Sequence, residues 1–430
     1  TPQDHTVAMP SLDPFFGEWT RRGPGTTRSL GRAEALIRVL GLDTERPPVL
    51  GVVGSKGKGA TATTAAAALS AAGLRTVLVT GPSFRSYRER VRVDGMSVTE
   101  AELDALGSRI DAARRRLPSV EVSGGYLAPS GLFLIAGLVH AREVGAHVCV
   151  LEAGMGGHRD ELRLVGPEVV AMGSVFAEHV GILGSTVEEI AGEKTRVAGE
   201  RTRALVRLPQ TSEVATEIDL ALEERTSGRV RAEVVDPRSP GVEPPPALRP
   251  PGLSAASGVL GTAAAARMLE HMGLPAPDRR RLYEVLRTVR LPGRLSLHTV
   301  PGGRTEVGTP GTEVLVDSAI DGDGVAAALA HARGLWGEVD HVLVCLPDHK
   351  DVSGATRALG ELPVTAVRLP ETHLRFDHAL PDHWERMDAE DLSPAVLRAV
   401  GRRVLALGTV YFTGRVLEAV DAPTDRLFGG

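Results

Sequence analysis

Short apolar runs rich in β-branched residues alternate along the chain with longer stretches rich in alanine and leucine. This alternation is typical of a parallel sheet covered by helices, because such strands are buried on both faces. The first series of predicted strands is residues 49–53, 76–80, 147–151, 168–172 and 204–208. The second series is residues 313–316, 341–346, 365–369 and 403–407.

A break in this pattern separates the two series. Residues 236–252 contain seven prolines and are predicted to form a long loop, which is followed by a helix at 254–272. The segment 291–294, Leu-Pro-Gly-Arg, resembles a hinge. A chain of 430 residues is also too long for one ordinary core. We therefore expect an N-terminal domain at 1–290 and a smaller, Rossmann-like α/β domain at 294–430.

Composition and charge narrow the possible partners. Hydrophobic residues make up 42% of the chain and charged residues 24%, as in soluble globular proteins. The net charge of −5 gives no reason to expect nucleic acid or an anionic membrane as partner. No apolar run approaches the ~20 residues that span a bilayer, and residues 1–13 show no export signal. We expect a cytoplasmic monomer, with Cys149 and Cys345 as buried free thiols.

A glycine-rich turn follows the first predicted strand. Its sequence is Gly54-Ser-Lys-Gly-Lys-Gly-Ala-Thr61, and it leads directly into an alanine-rich helix predicted at 60–72. Glycines allow backbone N–H groups to approach a phosphate, the helix N-terminus favours an anion, and Lys58 adds a positive charge. This arrangement predicts a phosphate-binding loop.

The turn does not complete the usual nucleotide-binding motif. That motif has a hydroxyl residue directly after the lysine, whereas Gly59 and Ala60 follow Lys58 here. Thr61 is the nearest hydroxyl that could replace it. An ordinary glycine turn is the alternative interpretation.

The turn resembles the Gly-Thr-Asn-Gly-Lys-Gly-Ser loop of folylpolyglutamate synthases, which are relatives of the Mur ligases. Further motifs occur in the order found in that family. They are Thr-Gly-Pro-Ser-Phe at 80–84, Arg-Glu-Arg-Val at 88–91, Leu-Glu-Ala-Gly-Met-Gly-Gly at 151–157, Glu-His at 178–179, Ile-Ala-Gly-Glu-Lys at 190–194, Pro-Gly-Arg at 292–294, Val-Asp-Ser-Ala at 316–319 and Asp-His-Lys-Asp at 348–351.

The resemblance implies a first domain with a parallel sheet and a phosphate loop that binds ATP. It implies an ADP-forming ligase that activates a carboxylate as an acyl phosphate and couples it to an amino acid. The nucleotide would be held by the turn and, from the second domain, by Arg294 and Asp317. The implied turn contacts are Gly54, Ser55, Lys56, Gly57, Lys58, Gly59, Ala60 and Thr61.

Three residues are implied as Mg²⁺ ligands. Glu152 ends an apolar strand beside the phosphate loop, where a carboxylate suits a hard cation. His179 would be the other protein ligand of the first ion. Lys194, which matches a lysine that is often carbamylated in the family, would hold a second ion. With Lys58, His179 and Lys194 form the predicted catalytic set.

The acid substrate is expected near Ser83, Arg88 and Arg90, which lie in a segment close to substrate in the family. Alternating arginines are equally compatible with an exposed strand. For each metal candidate the alternative is an ordinary strand-end, loop or surface residue.

Several polar residues of the family are replaced in this chain. The replacements are Lys56 for Asn, Gly81 for Ser, Ser83 for His, Arg163 for Asn, Gly258 for Asn, and Ile320 with Asp321 for His and Asn. These changes favour a specialised ligase with altered pockets. A genuine folylpolyglutamate synthase and a nucleotide-binding homologue without turnover are the two alternatives.

Overall fold

The structure is a computed structural model that describes residues 12–178, 180–301 and 311–429. Within these ranges the chain forms one sheet of eight strands and one of six. The first sheet contains β1 (Val49–Val53), β2 (Thr76–Val79), β3 (Val91–Val93), β4 (Met96–Ser97), β5 (Val148–Glu152), β6 (Val169–Met172), β7 (Ala204–Arg207) and β8 (Ala232–Val234). The second contains β9 (Ser296–Thr299), β10 (Glu313–Asp317), β11 (His341–Cys345), β12 (Val364–Arg368), β13 (Glu385–Asp388) and β14 (Arg403–Gly408).

Helices cover both sheets. Those that accompany the first sheet are α1 (Asp13–Thr20), α2 (Leu30–Val39), α3 (Lys58–Ala71), α4 (Glu100–Arg114), α5 (Val120–Ser123), α6 (Pro129–Glu143), α7 (Glu161–Val165), α8 (Val187–Thr195), α9 (Ser212–Thr226), α10 (Ala255–His271) and α11 (Arg279–Leu286). Those that accompany the second are α12 (Gly322–Trp336), α13 (Val352–Leu359), α14 (Pro394–Val400) and α15 (Val410–Ala419). In the described part of the chain, none of these helices is long and apolar enough to cross a membrane.

The first sheet has the order β4-β3-β2-β5-β1-β6-β7-β8. From β2 to β8 all neighbouring strands are parallel, and the antiparallel strands β3 and β4 extend one edge. The central strand β1 is buried along its whole length. Because the strands are parallel, the carboxyl ends of β1, β2, β5 and β6 meet at one edge, where α/β proteins bind ligands.

Helix α3 owes its position to its small side chains. Its alanines are buried against one face of the sheet, and α10 packs beside it on the same face. A Cβ at Gly261 of α10 would lie 2.5 Å from the Thr61 carbonyl oxygen, so only glycine allows the two helices to approach so closely. The opposite face is covered by α1, α2, α4 and α6, with Phe15 and Phe133 stacked 4.4 Å apart.

The second sheet has the order β13-β12-β11-β14-β10-β9 and is parallel except for β9. Helices α12 and α13 pack on one face, while α14 and α15 accompany the other. The predicted two-domain α/β fold is thus confirmed. The two cysteines are buried free thiols, as expected.

The predicted strands of both series are confirmed to within one residue at nearly every end. The short strands β3, β4, β8, β9 and β13 were not predicted, since two to four residues at or near a sheet edge carry little periodic signal. The proline-rich segment forms a loop that contains a short 3₁₀ helix, Pro246–Leu248.

Helix α8 has Thr186 as its N-cap, whose side chain accepts a hydrogen bond from the Glu189 N–H at 3.2 Å. The Glu189 carboxylate accepts from the Ser185 N–H at 2.6 Å rather than from Thr186.

The chain returns to the first domain at its end. The Ser97 N–H donates to the Asp425 carbonyl at 2.8 Å, and the Leu427 N–H donates to the Gly95 carbonyl at 2.9 Å. The Phe428 side chain is 1% exposed within the core beneath α3. Residues 425–428 therefore belong structurally to the first domain, although the second domain precedes them.

We expect Phe428→Ala to lower the free energy of unfolding by about 3–5 kcal/mol, because truncation of a buried phenylalanine leaves a cavity. Equilibrium urea unfolding measures this loss. The control Val122→Ala removes an apolar side chain that is 77% exposed, so its effect should stay within about 0.5 kcal/mol. A similarly small effect of Phe428→Ala would show that the end of the chain does not stabilise the first domain.

Candidate active site

A cleft of about 1360 Å³ lies at the carboxyl edge of the first sheet and is bordered by the second domain. Its size fits a nucleotide together with a further small molecule. The structure brings together nine of the predicted residues in the lining of this cleft. They are Ser55, Lys56, Gly57, Lys58, Gly59, Arg90, Glu152, Arg294 and Asp317.

The phosphate loop is fixed to the end of β6. Gly54 and Gly57 have φ of +136° and +77°, a backbone conformation that favours glycine. The Ser55 N–H donates to the Ser174 carbonyl at 2.9 Å, and the Ser55 hydroxyl accepts from the Phe176 N–H at 3.1 Å. These contacts give the loop a defined shape.

Lys58 is the first residue of α3, two positions earlier than predicted. Its ammonium group donates to the carbonyls of Gly54 at 3.1 Å and Ser55 at 3.4 Å, so it lies across its own loop. The first amides of a helix have no acceptor within the helix and carry the positive end of its dipole. The loop thus combines a lysine with free helical N–H groups, which is the arrangement that binds phosphate.

Glu152 closes the base of the loop. One carboxylate oxygen accepts from the Gly81 N–H at 2.9 Å and would lie 3.4 Å from a Cβ at Gly59. Burial raises the pKa of Glu152, and the charge of Lys58 is the largest effect that opposes it. The Glu152 side chain therefore lies near the positive charges of Lys58 and Arg90.

Arg90 fills the space beside Gly81. A Cβ at Gly81 would lie 2.8 Å from the guanidinium carbon, so a serine could not be accommodated without moving Arg90. The guanidinium also lies 4.8 Å from the centroid of the Phe133 ring. Burial lowers its pKa, and the carboxylate of Glu152 opposes this effect. Glycine at position 81 thus leaves room for the Arg90 guanidinium group.

Lys194 is fully buried behind the cleft. Its ammonium group pairs with Glu178 at 2.7 Å and donates to the Met155 carbonyl at 2.9 Å. Burial and the nearby charge of Lys58 lower its pKa. His179 lies outside the described residues.

The second domain contributes Arg294 and Asp317 to the cleft. The Asp317 carboxylate accepts from the Leu295 N–H at 3.0 Å, which fixes the chain after the hinge. Burial raises the pKa of Asp317, and the charge of Arg294 is the largest effect that opposes it. The two residues therefore form one electrostatic unit.

Other predicted residues lie apart from the cleft. Arg88 pairs with Glu100 at 3.4 Å and with Asp425 at 3.3 Å, so it helps to hold the end of the chain. The neighbouring Arg92 donates to the Thr424 carbonyl at 2.8 Å for the same purpose. Of the described residues that line the cleft, none is Gly54, Ala60, Thr61, Ser83 or Arg88.

A buried ion pair in the cleft wall was not predicted. Arg28 lines the cleft and pairs with Glu161, whose side chain is 3% exposed. A Cβ at Gly131 would lie 2.2 Å from the Glu161 carboxyl carbon, so this glycine makes room for the carboxylate. Nothing in the sequence around Glu161, which follows the N-cap residue Asp160 of α7, indicates that its side chain is buried.

Aromatic residues complete the same wall. The Arg22 guanidinium lies 4.1 Å from the centroid of the Trp19 ring and 5.8 Å from that of Tyr126. All three line the cleft. They offer flat apolar surface beside a positive charge, which suits an anionic aromatic ligand.

The far end of the phosphate loop packs against α10. A Cβ at Gly57 would lie 2.3 Å from the Ser257 hydroxyl, and a Cβ at Gly258 would lie 2.5 Å from Pro250. Pro250 therefore occupies the space that a side chain at position 258 would need. Ser254 and Ser257 are hydroxyl residues that line this part of the cleft.

A parallel sheet with a phosphate loop at its carboxyl edge, closed by a second α/β domain, defines a two-domain nucleotide-binding class of fold. No protein-family model matches the chain. In sequence it is 37% identical over 175 residues to a probable bifunctional folylpolyglutamate synthase/dihydropteroate synthase of Haloferax volcanii, covering 41% of this chain and 20% of that protein. It is 31% identical over 181 residues to the dihydrofolate synthase/folylpolyglutamate synthase of Escherichia coli, covering 42% of this chain and 41% of that one.

Solved structures share the fold over nearly the whole chain. Folylpolyglutamate synthase of Thermotoga maritima has a TM-score of 0.75 at 19% identity, covering 96% of this chain and 97% of its own. The Yersinia pestis bifunctional folylpolyglutamate synthase/dihydrofolate synthase, complexed with AMPPNP and Mn, has a TM-score of 0.76 at 20% identity, covering 97% and 100%. The predicted resemblance to the folylpolyglutamate synthase and Mur ligase family is confirmed.

The buried Glu161 makes the stability of the protein depend on pH. Burial raises the pKa of Glu161 to about 7 from an ordinary 4.5, although the charge of Arg28 opposes it. The folded state binds this proton more tightly than the unfolded state. Protonated Glu161 therefore contributes to the free energy of unfolding in full below about pH 4.5, and this contribution is lost as the pH rises through about 7. Relative to Glu161→Gln, the wild type should lose on the order of 3 kcal/mol of unfolding free energy across that range. Parallel pH profiles from urea unfolding would contradict this.

Proposed function

We propose that the protein is an ADP-forming ligase that couples a small carboxylic acid to an amino acid with ATP and Mg²⁺. The observation that carries the proposal is the phosphate loop of Lys58 beside Glu152, closed by Arg294 from the second domain. A simple binding protein would not need cationic groups from two domains around one carboxylate.

In this proposal the triphosphate lies against the first amides of α3 and the Lys58 ammonium group. Arg294 would reach the phosphates from the opposite side, since its planar guanidinium suits two phosphate oxygens. The base would extend towards Ser254 and Ser257, which line the cleft where α10 begins. Gly54, Ala60 and Thr61 would act through the backbone of the turn and the start of the helix.

The residues present fit a magnesium ion held mainly by substrate. Mg²⁺ in such sites usually takes one or two carboxylates together with phosphate oxygens and water. Glu152 supplies one carboxylate, and we propose His179 as a second protein contact. Among the described residues there is no group of three potential ligands. When bound, the ion would neutralise phosphate charge and polarise the transferred group.

Lys194 fits a carbamate that assists a second ion. Its lowered pKa favours the neutral amine, which is the form that reacts with carbon dioxide. A carbamate would place a negative group beside Glu178, its present partner. Glu178 and the carbamate could then both hold a divalent cation, whose charge would offset theirs. Mass spectrometry of the protein with and without bicarbonate tests the modification.

The proposed chemistry has two steps. A carboxylate oxygen of the acid attacks the γ-phosphorus and ADP leaves, which gives an acyl phosphate. The amine then attacks the acyl carbon, loses a proton and expels inorganic phosphate, which leaves an amide. Lys58 and Arg294 would hold the transferring group and stabilise its charge, as expected for reactions catalysed by positioning and electrostatics.

The acid is proposed to lie along the wall formed by Trp19, Arg28 and Tyr126, near Arg90. Ser83 and Arg88 would then affect substrate only through the segment that carries Arg90. The relatives are named for folate substrates, and one solved structure with a TM-score of 0.74 at 19% identity is a complex with AMPPCP and folate. The arginine beside Gly81 and the proline beside Gly258 favour a specialised relative over a genuine folylpolyglutamate synthase.

We also propose that the protein acts as a cytoplasmic monomer without nucleic-acid or membrane partners. A net charge of −5 and two buried free thiols support this.

We expect Lys58→Ala to lower the rate of ADP release about 100- to 1000-fold, because it removes a charge that contacts the transferring phosphate. A coupled assay for ADP, with a panel of acids and amino acids, measures this in the presence and absence of each substrate. Arg115→Ala is the matched control, since this side chain is 78% exposed. ADP release that needs no acid, or that survives Lys58→Ala, would contradict the proposal.

The same panel separates the alternatives. Amide formation from tetrahydrofolate and glutamate would identify a genuine folylpolyglutamate synthase. Binding of ATP and Mg²⁺ in a thermal-shift titration, without ADP release from any pair, would identify a homologue that has lost turnover.

A further inference from the structure

The phosphate loop contains a second lysine that does not face the loop. Lys58 donates to carbonyls of its own turn, whereas the Lys56 ammonium group forms an ion pair with Asp321 of the second domain. Lys56 also lies 5.5 Å from the centroid of the Phe176 ring. The two lysines are two residues apart in sequence, but Lys58 contacts its own loop and Lys56 contacts the second domain.

Asp321 is fixed in place by its own domain. It is the N-cap of α12, and its second carboxylate oxygen accepts from the Gly324 N–H at 2.8 Å. The next residue, Gly322, donates its N–H to Asp351 at 2.9 Å, which ties the start of α12 to the start of α13. A contact with Asp321 therefore also helps to fix the positions of α12 and α13.

The charge of this contact is maintained by its surroundings. Burial would raise the pKa of Asp321, but the hydrogen bonds from Lys56 and the Gly324 N–H outweigh it, and the pKa is lowered. The carboxylate therefore remains ionised at neutral pH. Both side chains are partly exposed, at 51% for Lys56 and 34% for Asp321, so the pair can form and break as the domains move.

The position of the pair links the loop to the residues that the second domain contributes to the cleft. Asp317 ends β10 and Asp321 follows four residues later; the charge of Lys56 lowers the pKa of Asp321 and opposes the burial that raises the pKa of Asp317. Arg294 acts on Asp317 in the same way. The two members of the pair are also replacements relative to the family motifs, and the structure shows that these replacements contact each other.

We propose that Lys56 is a positioning residue, which through Asp321 fixes the second domain on the phosphate loop so that Arg294 and Asp317 face the nucleotide site. This role rests on the proposed ligase function for its effect on turnover. Lys56 is then an inter-domain contact rather than the phosphate ligand that the loop motif implies. Loss of the pair would leave nucleotide binding to Lys58 and the helix amides.

A double-mutant cycle tests the pair directly. Lys56→Gln removes the positive charge, and Asp321→Asn removes the negative charge but keeps an N-cap residue of equal quality. The control is Asp323→Asn, which neutralises an exposed carboxylate one position beyond Gly322 in the same helix turn. The readouts are kcat for ADP release and the Kd of ATP with Mg²⁺.

We expect each single change to lower kcat by about tenfold and the double change to lower it no further, because the residues act as one unit. The Kd of ATP should change by less than about threefold in all three variants. Lys56→Gln combined with Asp323→Asn should give the product of the separate effects. Additive losses in the Lys56–Asp321 cycle, or a loss of ATP affinity confined to Lys56→Gln, would overturn the proposal.

A measurement without turnover separates this proposal from the ligase assignment. Dyes attached at Leu220→Cys and Leu335→Cys, which are 57% and 47% exposed on α9 and α12, report the distance between the domains. Both natural cysteines are buried and should not react. Energy transfer should change equally in Lys56→Gln, Asp321→Asn and the double variant, and not in Asp323→Asn. If the variants show this pattern but the wild type releases no ADP, the ligase assignment fails alone. If energy transfer is unchanged in both single variants, the positioning role fails.

Discussion

The site depends on the attachment of the phosphate loop to the end of β6. The hydrogen bonds of Ser55 with Ser174 and Phe176 fix a turn whose glycine at position 57 has a positive φ. Because the turn is fixed, α3 begins at Lys58 and its first amides face the carboxyl edge of the sheet. Glu152 reaches the same place from β5, which is hydrogen-bonded to β1.

The second domain completes what this loop begins. Arg294 and Asp317 enter the cleft from the hinge and the end of β10, and Lys56 contacts Asp321 nearby. The chain leaves the first domain after Arg290 and returns to it before Leu427, and the Arg290 N–H donates to the Leu427 carbonyl at 2.7 Å. The two chain segments that connect the domains thus lie side by side. This arrangement would allow the second domain to move as a unit over the phosphate loop, as in enzymes that close to exclude water.

Sequence reasoning succeeded where the signal is local. Strand β1, the glycine turn and α3 are contiguous, so their apolar run, glycines and alanines predict the loop together. Contacts between distant residues were not predictable, because no periodicity relates them. Lys56 and Asp321 are 265 positions apart, and Phe428 returns to the first core after the whole second domain. Glu161 lacked a signal of burial, since its space is created by a glycine on another helix.

A crystal structure with AMPPCP and Mg²⁺ would show where the triphosphate binds and how the second domain contacts it. We expect the triphosphate to contact the amides of Gly57–Gly59 and the Lys58 ammonium group, with Arg294 on the phosphates and Lys56 still paired with Asp321. A nucleotide bound elsewhere, or phosphates held by Lys56 with the second domain swung away, would contradict it.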